Sequence, residues 1–175
     1  MRQVRYNVAA SLDGYIADAS GGFDWIPHDA AVDFAAIFAR VDTVLLGRRS
    51  FELIQQGEAP PWGPNMRVYV FSRTLRPETY PDVTVIRANA AEVVSALRGE
   101  PGDGDIWLFG GGQLFSSLLA AGQVDTVEVT IVPVLLGGGI PLAASGIDRT
   151  GLELLDLRRY PTGMVSLSYA VHPRA

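Results

Sequence analysis

Apolar residues fall into two rhythms along this chain: short runs of strand length, and longer stretches in which they recur every three or four positions. Val4 to Ala9 predicts a first strand. Between Asp29 and Arg40, Val32, Ala35, Ala36 and Ala39 keep helical spacing, and Phe34, Ile37 and Phe38 widen the same face. Thr43 to Leu46 follows as a second strand, and Arg48 to Gln56 as a short helix ended by Gly57. Residues 57–64 read as a loop from their glycine and proline breakers. Val68 to Phe71 and Val83 to Ile86 are strands three and four, and Ala90, Val93, Val94 and Leu97 make the next helix face. Ile106 to Phe109 is strand five. The helix behind it carries Leu114, Phe115, Leu118 and Leu119 and stops at Gly122. Thr126 to Val132 is strand six. Leu152 to Leu157 and Val165 to Val171 alternate as antiparallel strands with one wet face, joined through Tyr160–Gly163. This order predicts one α/β domain over residues 1–175, with a mixed, mostly parallel eight-stranded sheet and an antiparallel C-terminal strand pair.

Loops leaving the carboxyl ends of parallel strands share one edge, where ligands bind. Four unusual stretches fall there: Ala10-Ser-Leu-Asp-Gly, Gly47-Arg-Arg-Ser, Ser72-Arg73 and Gly110-Gly-Gly. Glycines at a helix start let backbone N–H groups approach an anion, and the helix dipole favours it. The alternative reading of Gly110, Gly111 and Gly112 is a tight turn with close helix packing. The triplet runs on into Gln113 and Leu114 without the third glycine of the dinucleotide fingerprint. A second triplet, Gly137–Gly139, precedes Ile140-Pro141 and reads as a structural loop. Arg48 and Arg49 stand where a helix dipole disfavours cations, and with Ser50, Ser72 and Arg73 they suggest an anion beside them. Two helix starts and a basic cluster on one edge fit a dinucleotide with an extra phosphate, NADPH rather than NADH.

Composition narrows the chemistry. There is no lysine, all 14 basic residues being arginine, which excludes a P-loop and a pyridoxal Schiff base. Cysteine is absent, and His28 and His172 are the only histidines, so no metal site is expected. A net charge of −5 speaks against nucleic acid as a partner. Arg2, Arg5, Asn7, Ser11 and Asp13 interrupt the N-terminal apolar positions, so neither a leader nor a membrane span fits, and a cytoplasmic protein acting on a small molecule is expected.

With these residues in view, the sequence resembles the dihydrofolate reductase fold, and more closely the reductase domain of bacterial riboflavin biosynthesis and its stand-alone relatives. The matching stretches are Ser11-Leu-Asp-Gly-Tyr-Ile-Ala, Val44-Leu-Leu-Gly-Arg-Arg-Ser-Phe-Glu, Val70-Phe-Ser-Arg, Leu108-Phe-Gly-Gly-Gly-Gln-Leu-Phe and the run from Val124 to Gly139. The resemblance implies a three-layer α/β/α arrangement and hydride transfer from NADPH. It also implies phosphates held at Gly47–Ser50 and Gly110–Gly112, and a nicotinamide near the end of the first strand, where Ala10 and Ile16 lie. Dihydrofolate reductases carry a carboxylate near the first helix after a Trp and a Pro-x-Asp; Trp25-Ile-Pro-His-Asp29 offers Asp29, and Asp33 is an equal occupant. Asp29 is otherwise a helix N-cap. In the riboflavin-type branch the substrate is a ribosylaminopyrimidine phosphate, and Asp13 would bind it or relay a proton; otherwise Asp13 is a turn residue before Gly14.

The expected activity is therefore NADPH-dependent reduction of a heteroaromatic or imine-type molecule, riboflavin-precursor-like or pterin-like. Thr130 is a candidate substrate contact. Residues Asp13 to His28, with Gly21 and Gly22 as hinges, are a candidate lid. A nucleotide sensor without turnover is the alternative, and a homodimer is expected from the resemblance and the C-terminal strands.

Overall fold

The computed structural model describes residues 1–57 and 60–172, so residues 58 and 59 of the expected 57–64 loop lie outside the described residues. In chain order the elements are β1 (Val4–Ser11), β2 (Tyr15–Ala17), α1 (Phe34–Ala39), β3 (Val41–Gly47), α2 (Arg48–Ile54) and β4 (Arg67–Phe71). A 3₁₀ turn (Pro77–Thr79) leads to β5 (Thr84–Ile86), α3 (Ala90–Gly99), β6 (Asp105–Gly110) and α4 (Gly112–Ala120). The chain closes with β7 (Thr126–Val132), β8 (Ile140–Pro141), β9 (Leu152–Arg159) and β10 (Val165–Val171).

Eight strands form one sheet in the order β5-β4-β3-β6-β1-β7-β10-β9. The six strands from β5 to β7 pair in parallel, and β10 and β9 join antiparallel as predicted, although β9 is exposed at every position and not on one face alone. Central strands are apolar on both faces because helices cover both sides. Tyr6, Val94, Ile106, Leu108, Phe115 and Leu118 pack on the α3/α4 side. Val44, Leu46, Phe51, Val70 and Trp107 pack on the side of α1 and α2, with Phe38 against them. Leu45, Leu46 and Leu108 are fully buried, each contributing about 1.5–3 kcal/mol of transfer free energy.

Two expectations are corrected. The helix predicted from Asp29 begins at Phe34, because Asp33 caps it, accepting from Ala36 N–H at 2.9 Å, while Asp29 organises a separate turn with Ala31 and Val32. The pairing of β2 with β8 has no counterpart in the sequence reading, since strands of three and two residues are too short to show a period. Among the described residues no helix is long and apolar enough to cross a membrane.

Candidate functional site

Strands β1 and β6 pair only as far as Tyr6 and Leu108, whereas β1 and β7 stay paired to Ser11 and Val132. β1 and β6 therefore part towards their carboxyl ends, opening a crevice there. The Trp107 indole closes its base, donating to the Asn7 carbonyl at 3.0 Å. Two helices start at its mouth. A Cβ on Gly47 would lie 3.7 Å from Gly110 O and Gly111 N, and a Cβ on Gly111 would lie 3.4 Å from Ser50 Oγ, so the starts of α2 and α4 are side by side. Neither helix has a side-chain cap, which leaves first-turn amides directed at the shared space.

The first glycine triplet serves three ends. Gly110 has φ +129°, a conformation that L side chains rarely adopt. Gly112 sits beneath β8, where a Cβ would come within 2.5 Å of Pro141 O. Gly111 is extended and open, meeting only Ser50 and, at 3.9 Å, Ile16. The close-packing reading holds at Gly112, while Gly111 leaves open space beside Ser50. Of the two remaining members of the expected cofactor set on α4, Gln113 is exposed and Leu114 packs on the core; Ala10 is fully buried and Ile16 half-buried beside it.

The arginines divide as well. Arg48 reaches Glu52 at 2.9 Å, one turn along α2, while Arg49 and Arg73 are exposed and have no ion-pair partner among the described residues. Ser72 is buried, and its hydroxyl accepts from the Thr74 and Leu75 amides at 3.2 and 3.0 Å. It shapes the turn that carries Arg73.

The three candidate aspartates, Asp13, Asp29 and Asp33, are all engaged as acceptors. Asp13 takes the Ser11 hydroxyl at 2.6 Å and the Leu136 and Gly137 amides at 3.1 and 2.7 Å, stapling the second glycine loop to the end of β1. That loop is structural, as expected. The Ser11 hydroxyl, followed by these amides, holds the Asp13 carboxyl below the usual range. Asp29 is 7% exposed; it accepts the Thr162 hydroxyl at 2.6 Å, the Thr162 amide at 3.1 Å and the Ala31 amide at 2.9 Å. The Thr162 hydroxyl is the main cause of its lowered pKa. Asp33, not Asp29, is the helix N-cap.

Gly21 and Gly22, the expected hinges, lie in a hydrogen-bonded turn. Asp18 Oδ1 accepts from Ser20 N, Ser20 Oγ and Gly22 N at 2.7, 2.7 and 2.8 Å, and Gly21 is buried against Leu53. Thr130 lies half-buried on the α1 side of the sheet, level with Ala9 and Ser166. The next row towards the base is Asn7, Glu128 and Ser168. Glu128 accepts from Asn7 at 2.8 Å and Arg5 at 2.6 Å, and with Ile37, Arg40, Val41 and Trp107 these residues line a small cavity under α1. Sequence reasoning missed this network. Its signal was available: Arg5, Asn7 and Glu128 put polar groups inside otherwise buried strands.

A mostly parallel sheet whose first and sixth strands part over two uncapped helix starts, with an antiparallel C-terminal pair, is a dihydrofolate reductase-like α/β fold. Within that class the chain belongs to the RibD C-terminal domain family, whose sequence model matches residues 2–166. It is 34% identical to YyaP of Bacillus subtilis, a protein of uncharacterised function, over 96% of this chain and 94% of that one. Its fold is similar to that of a Shewanella sp. PV-4 protein provisionally assigned to riboflavin biosynthesis, with TM-score 0.84, 26% identity and coverage of 99% and 100% of the two chains. It is 28% identical to the riboflavin biosynthesis protein RibD of Mycobacterium tuberculosis, over 86% of this chain but only 46% of RibD.

Proposed function

We propose that the protein is an NADPH-dependent reductase transferring a hydride to a small heteroaromatic or imine-type substrate, riboflavin-precursor-like or pterin-like. The observation that carries this reading is the meeting of two uncapped helix starts at Gly47, Ser50 and Gly111. Convergent amides with a hydroxyl between them suit phosphate oxygens, and the exposed Arg49 and Arg73 suit a further phosphate. Gly47, Arg48, Arg49, Ser50, Ser72, Arg73 and Gly110 to Leu114 would hold the dinucleotide, with Ala10 and Ile16 at its nicotinamide end. The bound nicotinamide supplies the hydride. Thr130, between Ala9 and Ser166, offers a hydroxyl to a substrate on the α1 side of the sheet, and the flanking strands limit water there. Membership of the RibD C-terminal domain family supports an oxidoreductase, and such an enzyme would draw on the cytoplasmic coenzyme pool. The full RibD reaction is the activity of a chain about twice as long as the part matched here. Calorimetric titration with NADPH and NADH tests the reading; a protein that gives neither heat nor a melting shift with NADPH refutes it.

One observation favours a second reading, a nucleotide sensor without turnover: Asp13, Asp29 and Asp33 each organise backbone, so none stands free as an acid. Stoichiometric NADPH binding without oxidation against pterins, ribosylaminopyrimidines, quinones and imines would select it. The strand pair at the sheet edge supports a homodimer. Leu152, Leu154 and Leu157 are 44%, 52% and 52% exposed and, by register with Val171, Tyr169 and Leu167, share one face of β9.

A further inference from the structure

Residues 23–32 cross from the Asp18 turn to α1, with Trp25, Ile26, Pro27 and Val32 half-buried and Asp29 buried. None of them belongs to, or packs against, either core cluster. Among the described residues their hydrogen bonds stay within residues 22–34: Ile26 to Phe23, Trp25 to Gly22, Ala31 and Val32 to Asp29, and Phe34 to Val32. The exceptions are the two bonds from Thr162 to Asp29, which span 133 residues of sequence. Thr162 lies in the turn between β9 and β10. That turn lies at the same edge of the sheet as the crevice, beyond β7, because β10 runs antiparallel and begins opposite Ile131, itself level with Ala10. A Cβ on Gly163 would lie 3.5 Å from Pro133 Cγ, so the turn abuts the end of β7.

Capping cannot explain why Asp29 is buried, since Asp33 caps α1. Nor is Asp29 a hydrogen-bond donor in this arrangement: both oxygens accept, one from Ala31 and one twice from Thr162. We infer that Thr162 is a positioning residue, whose hydroxyl and amide hold Asp29, and through it residues 23–32, against the mouth of the site. Its consequence for substrate rests on the reductase reading; the tether itself does not. The β-branched threonine suits the role, because restricted χ1 freedom keeps the hydroxyl aimed at the carboxylate.

Hydrogen exchange by mass spectrometry on the full chain, with no ligand added, reads the tether directly. Thr162→Val is expected to speed exchange across residues 23–32 about tenfold, the scale of one hydrogen bond to a charged group, with β1, β6 and β7 unchanged. Thr162→Ser, which keeps the hydroxyl, is expected to restore wild-type exchange. If the valine variant does not fold, Asp29→Asn takes its place, and slow exchange over 23–32 in a folded Asp29→Asn protein overturns the inference. Exchange in Thr162→Val equal to wild type overturns it equally. With NADPH and 5-amino-6-(5-phosphoribosylamino)uracil as probe, Thr162→Val is expected to raise KM about tenfold while the NADPH Kd holds. A fall in kcat alone, or a weakened Kd for NADPH, contradicts positioning at the substrate mouth. Wild-type protein that ignores NADPH refutes the proposed function and leaves the exchange result standing.

Discussion

Alanine at Gly111 and alanine at Gly112 are expected to have opposite consequences, although the two residues are neighbours in one triplet. Gly111 has φ −84° and ψ −169°, a backbone open to any L-residue, and its Cβ would make ordinary contacts with Ser50 Oγ at 3.4 Å and Ile16 Cδ1 at 3.9 Å. Removing a glycine's freedom from the unfolded chain stabilises by about 0.4–1 kcal/mol, and the poorer N-cap offsets a similar amount. Stability should hardly change. The new methyl, however, fills the space between the two helix starts, where a phosphate would meet their amides. Each charge-assisted hydrogen bond lost costs about 1.5–3 kcal/mol, so Gly111→Ala should weaken NADPH binding by roughly 10- to 150-fold. Gly112→Ala puts a methyl 2.5 Å from Pro141 O and 3.1 Å from Leu142 O. That backbone cannot retreat easily, since Leu142 N donates to Gly14 O at 2.9 Å and Leu142 O accepts from Tyr6 at 2.8 Å. Overpacking of this kind costs about 1–3 kcal/mol, which lowers Tm by roughly 2–12 °C in a chain of this size. Thermal melts and NADPH calorimetry on both variants test the division. Wild-type affinity in Gly111→Ala would refute the phosphate site, and a wild-type Tm in Gly112→Ala would refute the packing role.

Neutralising Arg49 or Arg73 should narrow the preference for NADPH over NADH about tenfold, and Arg48 less because Glu52 already pairs with it; an unchanged ratio of dissociation constants would put the extra phosphate elsewhere. Asp13, Asp18 and Asp29 all titrate below the ordinary carboxyl value of 3.8, so the unfolded chain binds their protons first as pH falls. Their stabilisation is complete above that value and is lost as pH drops through the lowered folded values. Tm should be flat from about pH 7 to 5 and fall below about 4, and Asp13→Asn or Asp29→Asn should each remove part of that acid slope. The proposed homodimer predicts a dimeric mass for the wild-type protein in light scattering and a monomeric one once Leu154 and Leu157, each 52% exposed, are replaced with glutamate; a monomeric wild type or a variant of unchanged mass refutes this interface.

Where structure is periodic and local, the sequence was enough. Thr126–Val132 and Val165–Val171 have the bounds read from the sequence, and the glycine and proline breakers mark the loops between elements. Asp29 and Asp33 show where this reach ends. Either can cap a helix; Asp33 does, while Asp29 is bonded to Thr162, a partner 133 residues away that no local pattern announces. The same holds for Asp13, whose amides come from the loop at 136–137, and for Glu128 with Asn7. The triplet was legible as unusual but not as divided, because only β8 lying over α4 separates Gly112 from Gly111.

The two ends of the site are built from different materials, and this bears on what similarity can carry. The end proposed for the dinucleotide consists largely of backbone: amides of α2 and α4, a φ only glycine takes readily, and a close approach beneath β8. Such a site survives wide change in its surroundings provided a few small residues stay, so relatives near 30% identity can share it. The end proposed for the substrate consists of side chains on β1, β7 and β10, where Ala9, Thr130 and Ser166 stand in one row and Asn7, Glu128 and Ser168 in the next. Each of those positions can change without disturbing the ladder that carries it, because strand side chains project away from the hydrogen-bonded plane. On the proposed reading, coenzyme use would travel with the fold, while substrate choice would lie in these rows and in the segment that Thr162 is inferred to hold.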